Sequence, residues 1–351
     1  MEETQQQQGL RRSLKARHMN MIAIGGAIGT GLFVAGGETV SSAGPGGALV
    51  AYALIGIMVY FLMTGLGEMA SYLPVSGSFE TYANRYVDKS LGFALGWNYW
   101  FNWAITVAAE LVAGALIMKY WFPDVPAAIW SGLFLIILFV LNYLSTRSYG
   151  ESEFIFAGIK VLTVLVFLFA GTLLILGLGP EPSPGFTNWT IGDAPFVGGF
   201  TAMLGIFMVA GFSFQGTEMI GIAAGESEDP EKNVPRAVHS IFWRILIFYI
   251  GSIFIILCIY PWNEVSYIGS PFVMTFAKVG ISAAAGIINF VVLTAALSGC
   301  NSGMYSSGRM LYTLAQNGQA PKIFAKLSPT GVPRNSIAVT IVVLAIGVIL
   351  N

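Results

Sequence analysis

The sequence predicts an all-α, multi-span membrane protein, and three observations carry that expectation. Hydrophobic residues make up 55% of the 351 positions and charged residues only 10%, against roughly 25% charged in a soluble domain. Several apolar runs approach the ~20 residues that cross a ~30 Å hydrocarbon core. Two of these runs are interrupted: Ile22–Val34 (IAIGGAIGTGLFV) carries glycines at 25, 26, 29 and 31, and GFSFQGTEMIGIAAGE from Gly211 to Glu226 carries Glu218 within it. Glycine weakens a helix by about 0.8–1.0 kcal/mol relative to alanine, so both runs invite local unwinding. Unwound backbone at membrane depth is tolerated where it is buried or lines a cavity. A pair of such breaks at corresponding positions of two halves points to a transporter binding site.

Nine apolar helical spans are expected, at about 19–40, 47–72, 91–118, 127–145, 154–178, 196–222, 240–260, 282–312 and 336–351. The polar, glutamine-rich residues 1–18 form an N-terminal segment, with a transmembrane domain over 19–351. The head and the long, glycine-interrupted first run do not fit a cleavable signal peptide. Placing the N-terminus in the cytoplasm puts 14 of the 17 Lys and Arg, Arg244 among them, on or near the inner side; Lys119 and Lys278 fall outside, and Lys160 falls within a span. That asymmetry sets the expected orientation. The Gly/Pro-rich segment 178–195 reads as an outer loop, in which Asn188-Trp189-Thr190 is a plain loop asparagine rather than a glycosylation site. The charged, proline-punctuated segment 226–236 reads as an inner loop. The ninth run holds only about 16 residues, short for a span, and the chain is expected to be truncated within the ninth helix.

Ionisable side chains at membrane depth are unfavourable by at least ~2.5–3.5 kcal/mol and are therefore functional candidates. Glu218 follows the unwound-looking FSFQGT; it reads either as a proton carrier or partner for a substrate ammonium, or as a carboxyl hydrogen-bonded to backbone. Glu110, in FNWAITVAAELVAGALIM, reads either as a site acid or as a packing carboxyl. Glu68 lies near an inner helix end and reaches the interface. Lys160, in FAGIKVLTVLVF, either snorkels or places its ammonium between helices on carbonyls freed by the first break. Two deep acids, Glu110 and Glu218, against one lysine suit a cationic ligand or a transported proton.

The other chemistries find no support. His18 and His239 stand at helix edges without ligand-spaced partners, so no metal is expected. Cys258 and Cys300 lie within spans and read as buried free thiols. GGAIGTG superficially matches a phosphate loop, but it follows no strand. No nucleophile elbow, HExxH or basic nucleic-acid surface is present, so neither an enzyme nor a nucleic-acid partner is expected, and no cofactor is implied.

A broken helix frees N–H groups at the start of its second half and carbonyls at the end of its first. The N–H end attracts a carboxylate and the carbonyl end a cation. One break can therefore hold both ends of an α-amino acid: N–H groups of Gly29, Thr30 and Gly31 for the carboxylate, carbonyls near Ile22–Gly25 and Phe212–Gln215 for the ammonium. Close helix packing is the alternative use of such glycines.

The segments IAIGGAIGTGLFV, SAGPGGAL, PVSGSFETYA, GWNYWFNWA, GFSFQGTEMIGIAAGESEDPEKNVPRAV and NSGMYSSGRMLYTLAQNGQAPKIF resemble the amino acid permeases of the amino acid–polyamine–organocation (APC) superfamily. Within it they are most similar to bacterial lysine-specific permeases. The resemblance covers nearly the whole chain from Leu10. It implies a LeuT-like fold of two inverted five-helix repeats with helices one and six broken, and proton-coupled import of L-lysine by alternating access across the bacterial inner membrane. The alternatives are an exchanger or a permease for another cationic or aromatic amino acid, or an amino-acid-binding membrane sensor with a regulatory membrane partner. By resemblance, Ile28, Gly29, Thr30 and Gly31 match the carboxylate-binding turn. Phe212, Ser213 and Gln215 match the helix-six positions that meet the α-amine, Phe212 also matching a gating aromatic. Glu218 and Glu226 match acidic positions, Glu218 linked to substrate recognition and protonation and Glu226 at the inner end, and with Lys160 and Glu110 they are the expected proton-coupling residues. Lys160 matches a lysine that stands where sodium sits in sodium-coupled relatives. Asn301, Ser302 and Gly303 match a wall of the site, with Gly303 leaving room for a long side chain. Which group meets the substrate side chain stays open between Glu110, Glu218 and neutral polar groups.

Overall fold

A computed structural model describes residues 10–350 apart from residues 27, 30, 181, 266–270 and 281–282, and it leaves the side chains of 34–38 and 350 undescribed. The described residues are helical almost throughout. In chain order the helices are α1 (Ala16–Gly25), α2 (Gly36–Tyr72), α3 (Phe79–Tyr86), α4 (Lys89–Met118), α5 (Ala127–Leu144), α6 (Thr146–Ile175), α7 (Gly199–Phe212), α8 (Met219–Ala224), α9 (Pro230–Arg244), α10 (Ser252–Ile259), α11 (Pro271–Lys278), α12 (Ala284–Gln316) and α13 (Arg334–Leu350). A π-helical stretch, Ile245–Gly251, joins α9 to α10.

Six stretches among the described residues are long and apolar enough to cross a membrane: Thr39–Tyr72, Lys89–Met118, Ala127–Leu144, Thr146–Ile175, Pro230–Ile259 and Ala284–Gln316. Large apolar side chains such as Phe61, Phe169, Met208 and Ile349 point outward from the bundle. In water that surface would aggregate; in a bilayer it meets lipid tails. Polar side chains gather instead on the bundle's inside, above all on α12, which is buried along nearly its whole second half.

Both glycine-rich runs are broken, for identifiable reasons. Helix α1 stops at Gly25, and a π-helical turn, Gly31–Ala35, starts the next helical run. That run continues past residue 40 and kinks at Gly44, whose φ of 73° precedes Pro45. Proline supplies no N–H, and the kink divides the first span from the second at this point. In the second run α7 ends at Phe212 and α8 starts at Met219, with turns between them that include Gly216 at φ 98°.

Helix boundaries differ from expectation at two places that bear on function. The stretch expected at 240–260 begins at Pro230, an N-terminal proline that needs no intrahelical donor. Arg244 therefore lies inside a continuous helical stretch and is buried, not near the inner edge. Helix α6 begins at Thr146, capped by Ser145 Oγ accepting from the Ser148 N–H at 3.1 Å. That places Glu153, outside the expected span, within the helix. Asn188 is buried and donates to the Cys258 carbonyl at 2.8 Å, so it holds the loop rather than carrying a glycan.

Candidate functional site

The two breaks meet backbone to backbone. A Cβ built on Gly216 would stand 2.2 Å from the Gly26 carbonyl oxygen, and one on Gly26 would stand 2.7 Å from the Gly216 oxygen. Gly31 lies as closely on Ser213, whose Cα would be 2.9 Å from a Gly31 Cβ. No side chain fits in these crossings, which is the physical use of the glycines at 26, 31 and 216. Gly29 differs, since a Cβ there would meet nothing within 4 Å. It opens onto a cavity of about 30 Å³ bounded by Gly26, Gly31, Glu110, Phe212, Ser213 and Gln215, with Trp103, Thr106 and Gly299 completing the wall.

Around this cavity the side chains are tied to fixed partners. Gln215 donates from Nε2 to Asn102 Oδ1 at 2.6 Å and to Thr106 Oγ1 at 3.3 Å, joining the second break to α4. Ser213 Oγ lies 3.3 Å from the Tyr52 hydroxyl, and its carbonyl accepts from Tyr249 at 2.5 Å. Glu218 accepts from the Tyr99 hydroxyl at 3.1 Å and from the Gly216 N–H at 2.8 Å. Its carboxyl thus closes the turn that breaks the helix. Phe212 is half exposed at the cavity's rim.

Lys160 does not snorkel. Its ammonium is 1% exposed and donates to the Gly25 carbonyl at 2.5 Å and to Ser298 Oγ at 2.8 Å. The Gly25 carbonyl also accepts from the Ile28 N–H at 3.2 Å. Some of the carbonyls expected to receive a substrate ammonium are therefore already engaged by the protein. Glu153, fully buried, is 3.9 Å from Lys160 Nζ and also accepts from Ser298. The deep charge inventory thus includes an acid that the expected span boundary excluded. The spacing held the signal: Glu153 and Lys160 are seven positions apart, two turns along one helix face.

Several expected site residues lie elsewhere. Ile28 is buried in the core and does not line the cavity; Thr30 lies outside the described residues. Asn301 faces α5 and α6, accepting from Asn142 Nδ2 at 2.8 Å and donating to Ser152 Oγ at 3.1 Å. Ser302 lies 3.3 Å from the Tyr149 hydroxyl. The space beside Gly303 is filled, since a Cβ there would lie 2.4 Å from Val107 Cγ2 and 2.5 Å from Trp103 Cε3. It accommodates α4 rather than a ligand, and Gly299, one turn earlier on α12, is the glycine that reaches the cavity. Glu226 forms a separate, closed ion pair, accepting from Arg309 Nε at 2.8 Å, from Tyr305 at 2.5 Å and from Thr146 at 2.6 Å. Its backbone carbonyl accepts the N–H groups of Ser13 and Leu14, both at 2.9 Å, anchoring the N-terminal arm. Glu68 is exposed at the far end of α2.

Solved structures with the same arrangement define the class. A Na+-coupled sialic acid symporter in a substrate-bound outward-open state matches 99% of this chain and 76% of its own, with a TM-score of 0.64 at 10% identity. Mhp1, a nucleobase-cation-symport-1 family transporter in a closed conformation, matches 98% of this chain and 74% of its own, with a TM-score of 0.61 at 15% identity. The fold is therefore that of the LeuT-like transporters.

Sequence narrows the class to one family. The chain belongs to the amino acid permease family, whose model it matches over residues 18–351; members are transporters, not enzymes. It is 61% identical over 345 residues to the lysine-specific permease LysP of Escherichia coli (strain K12), covering 95% of this chain and 70% of that protein. It is 55% identical to the lysine-specific permease LysP of Lactococcus lactis subsp. cremoris (strain MG1363), covering 92% of this chain and 66% of that protein. The histidine permease HisP of the same L. lactis strain is 48% identical, covering 96% and 72%.

Proposed function

We propose that the chain is a proton-coupled secondary transporter that imports L-lysine across the bacterial cytoplasmic membrane by alternating access, with its N-terminus in the cytoplasm. The observation that carries the coupling is the Lys160 ammonium seated on the Gly25 carbonyl at the first break. A fixed protein cation there does the electrostatic work of a bound metal cation, and it appears and disappears with a proton. Lysine as substrate rests on the two lysine-specific relatives.

The substrate's α-carboxylate would lie against the N–H groups at Gly29–Gly31, where the second helical half presents its positive end. Its α-ammonium would lie toward the carbonyls of Phe212–Gln215, as a second donor where Phe212 and Ser213 already accept from Gln215 and Tyr249. Glu110 and Glu218 supply negative potential, and Phe212 stands at the rim as the gate. Glu226, closed onto Arg309, holds the inner end of the bundle together and carries no transported proton. Proton binding biases the two orientations only through its differential affinity for them.

Counterflow in proteoliposomes loaded in turn with lysine, arginine, ornithine, histidine and threonine tests the substrate. Lysine is expected to exchange best; stronger exchange by another amino acid overturns the assignment. Lys160→Ala is expected to keep lysine counterflow while losing accumulation driven by a proton gradient. Undiminished gradient-driven accumulation in that variant refutes the role of Lys160.

A further inference from the structure

Glu153 is buried, ionisable and absent from the cavity wall, yet it is built into a directional chain of hydrogen bonds that ends on the first break. Asn142 Nδ2 donates to Asn301 Oδ1 at 2.8 Å, which turns the Asn301 amide so that its Nδ2 faces Glu153 Oε2 at 3.4 Å. Ser298 donates its hydroxyl proton to Glu153 Oε1. A serine hydroxyl has one proton to give, so its lone pairs are left toward Lys160, which donates to them at 2.8 Å and to Gly25 at 2.5 Å. The chain crosses α5, α12, α6 and α1, and each of its bonds runs from a donor to an acceptor.

We propose that Glu153 is a positioning residue of the coupling centre, holding the Lys160 ammonium through Ser298 on the carbonyl at the end of α1. The inference rests on the reading of Lys160 as the coupling group. Glu153 is the one carboxylate within 4.0 Å of the ammonium among the described residues. A buried charge left without its partner is strongly unfavourable, so the carboxylate keeps the ammonium charged in a site closed to water. Charge-assisted bonds are about twice as strong as neutral ones. The tie from α1 to α12 is therefore firm while Lys160 carries its proton and slack when it does not. Glu153 turns one proton into a mechanical link between the broken helix and the wall behind it.

The groups facing the pair are few. On α6 itself Tyr149 lies one turn before Glu153, stacked on Tyr305 of α12, and beyond that stack stand Arg309 and Glu226. From α1 the pair meets backbone, a Gly25 Cβ lying 3.4 Å from Glu153 Oε1, with His18 packed lower against Gly150. From α4 Glu110 is the further carboxylate acting on Lys160. From α12 and α5 the contacts are the neutral Ser298, Asn301 and Asn142.

The test is gradient-driven lysine uptake across a pH series by the reconstituted chain and its variants Glu153→Gln, Glu153→Asp, Ser298→Ala and Lys160→Ala. Glu153→Gln is expected to move the alkaline limit of uptake toward acid by about one pH unit or more, with the KM for lysine little changed because Glu153 does not touch substrate. Ser298→Ala should shift it in the same direction by less, and Glu153→Asp should restore part of the wild-type profile. A wild-type pH profile in Glu153→Gln refutes the proposal, while loss of gradient dependence in Lys160→Ala leaves the coupling reading intact. Retained gradient dependence in Lys160→Ala refutes that reading instead. Should Glu153→Gln fail to fold, Ser298→Ala decides alone: a shifted profile supports the positioning role, and an unchanged one overturns it.

Discussion

Gly216→Ala probes the crossing of the two breaks most directly. The residue carries φ 98°, a conformation that costs a side-chain-bearing residue about 1–3 kcal/mol. The added methyl would also lie 2.2 Å from the Gly26 carbonyl oxygen and 2.9 Å from its carbon. Those are backbone atoms that no rotamer change can move, so the two chains must separate, at an overpacking cost of about 1–3 kcal/mol. Together the change should destabilise the fold by about 2–6 kcal/mol. Gly211→Ala is the control, because its methyl meets nothing within 4 Å and the residue is helical; it should gain up to about 1 kcal/mol of helix propensity. Thermal unfolding of the detergent-solubilised chain, read alongside lysine counterflow, compares the two. A drop of several degrees with lost counterflow is expected for Gly216→Ala and neither for Gly211→Ala. If Gly216→Ala melts with the wild type, the backbone crossing is not the contact that holds the breaks together.

Three other perturbations separate structural from functional roles. Arg309→Met leaves Glu226 buried without its partner and should cost about 3–5 kcal/mol, with much of the loss recovered in the double variant Glu226→Gln/Arg309→Met; a double variant no better than Arg309→Met in thermal unfolding would count against a closed structural pair. Gly303→Ala drives a methyl into Val107 and Trp103 and should cost about 1–3 kcal/mol, leaving the lysine-to-arginine preference in counterflow unchanged; a changed preference would return Gly303 to the ligand wall. His18 stands at the start of α1, ahead of the apolar run beginning at Met19, and burial holds its imidazole below the ordinary value, against the opposing pull of Glu151. Nδ1 accepts the Lys15 N–H at 3.3 Å, and Nε2 lies 3.2 Å from Arg17 Nε and 3.3 Å from Glu151. A depressed folded-state value means that this contribution is complete above the ordinary histidine value of about 6.5 and is lost as the pH falls below it, so trypsin cleavage at Lys15 and Arg17 should accelerate on acidification and lose that dependence in His18→Gln.

The breaks were legible in the sequence because glycine acts locally: four glycines around residue 28 and the glycine-rich run from Gly211 need no tertiary information to disrupt a helix. Lys160 was legible as an anomaly, a lone cation inside an apolar run, but its destination was not, because Gly25 and Ser298 come to it from distant segments. Glu153 was hidden by an expected boundary. Hydropathy sets the edge where polar residues begin, whereas the helix begins where Ser145 caps it. The expected ligand wall at residues 301–303 differs for a related reason. Period and composition identify a polar stripe on α12 but not its rotation, and one turn decides whether Gly299 or Gly303 meets the cavity.

The size of that cavity then bears on how transport proceeds. At about 30 Å³ it has room for about two waters, far less than an amino acid needs. Substrate can enter only if the walls part, and the walls differ in what holds them. Trp103 and Val107 against Gly303 belong to the packed α4–α12 core, where separation exposes apolar surface and leaves voids. The faces formed by the breaks meet through a backbone crossing at Gly26 and Gly216, the Gln215 bonds to α4, and the Lys160 bond to Gly25. The Gln215 and Lys160 hydrogen bonds are directional and can be exchanged for contacts with a zwitterion without opening a void in the core. On the proposed alternating-access reading, the broken helices would be the elements that move, α4 and α12 the frame they move against, and Lys160 the contact between the two that one proton would make or release.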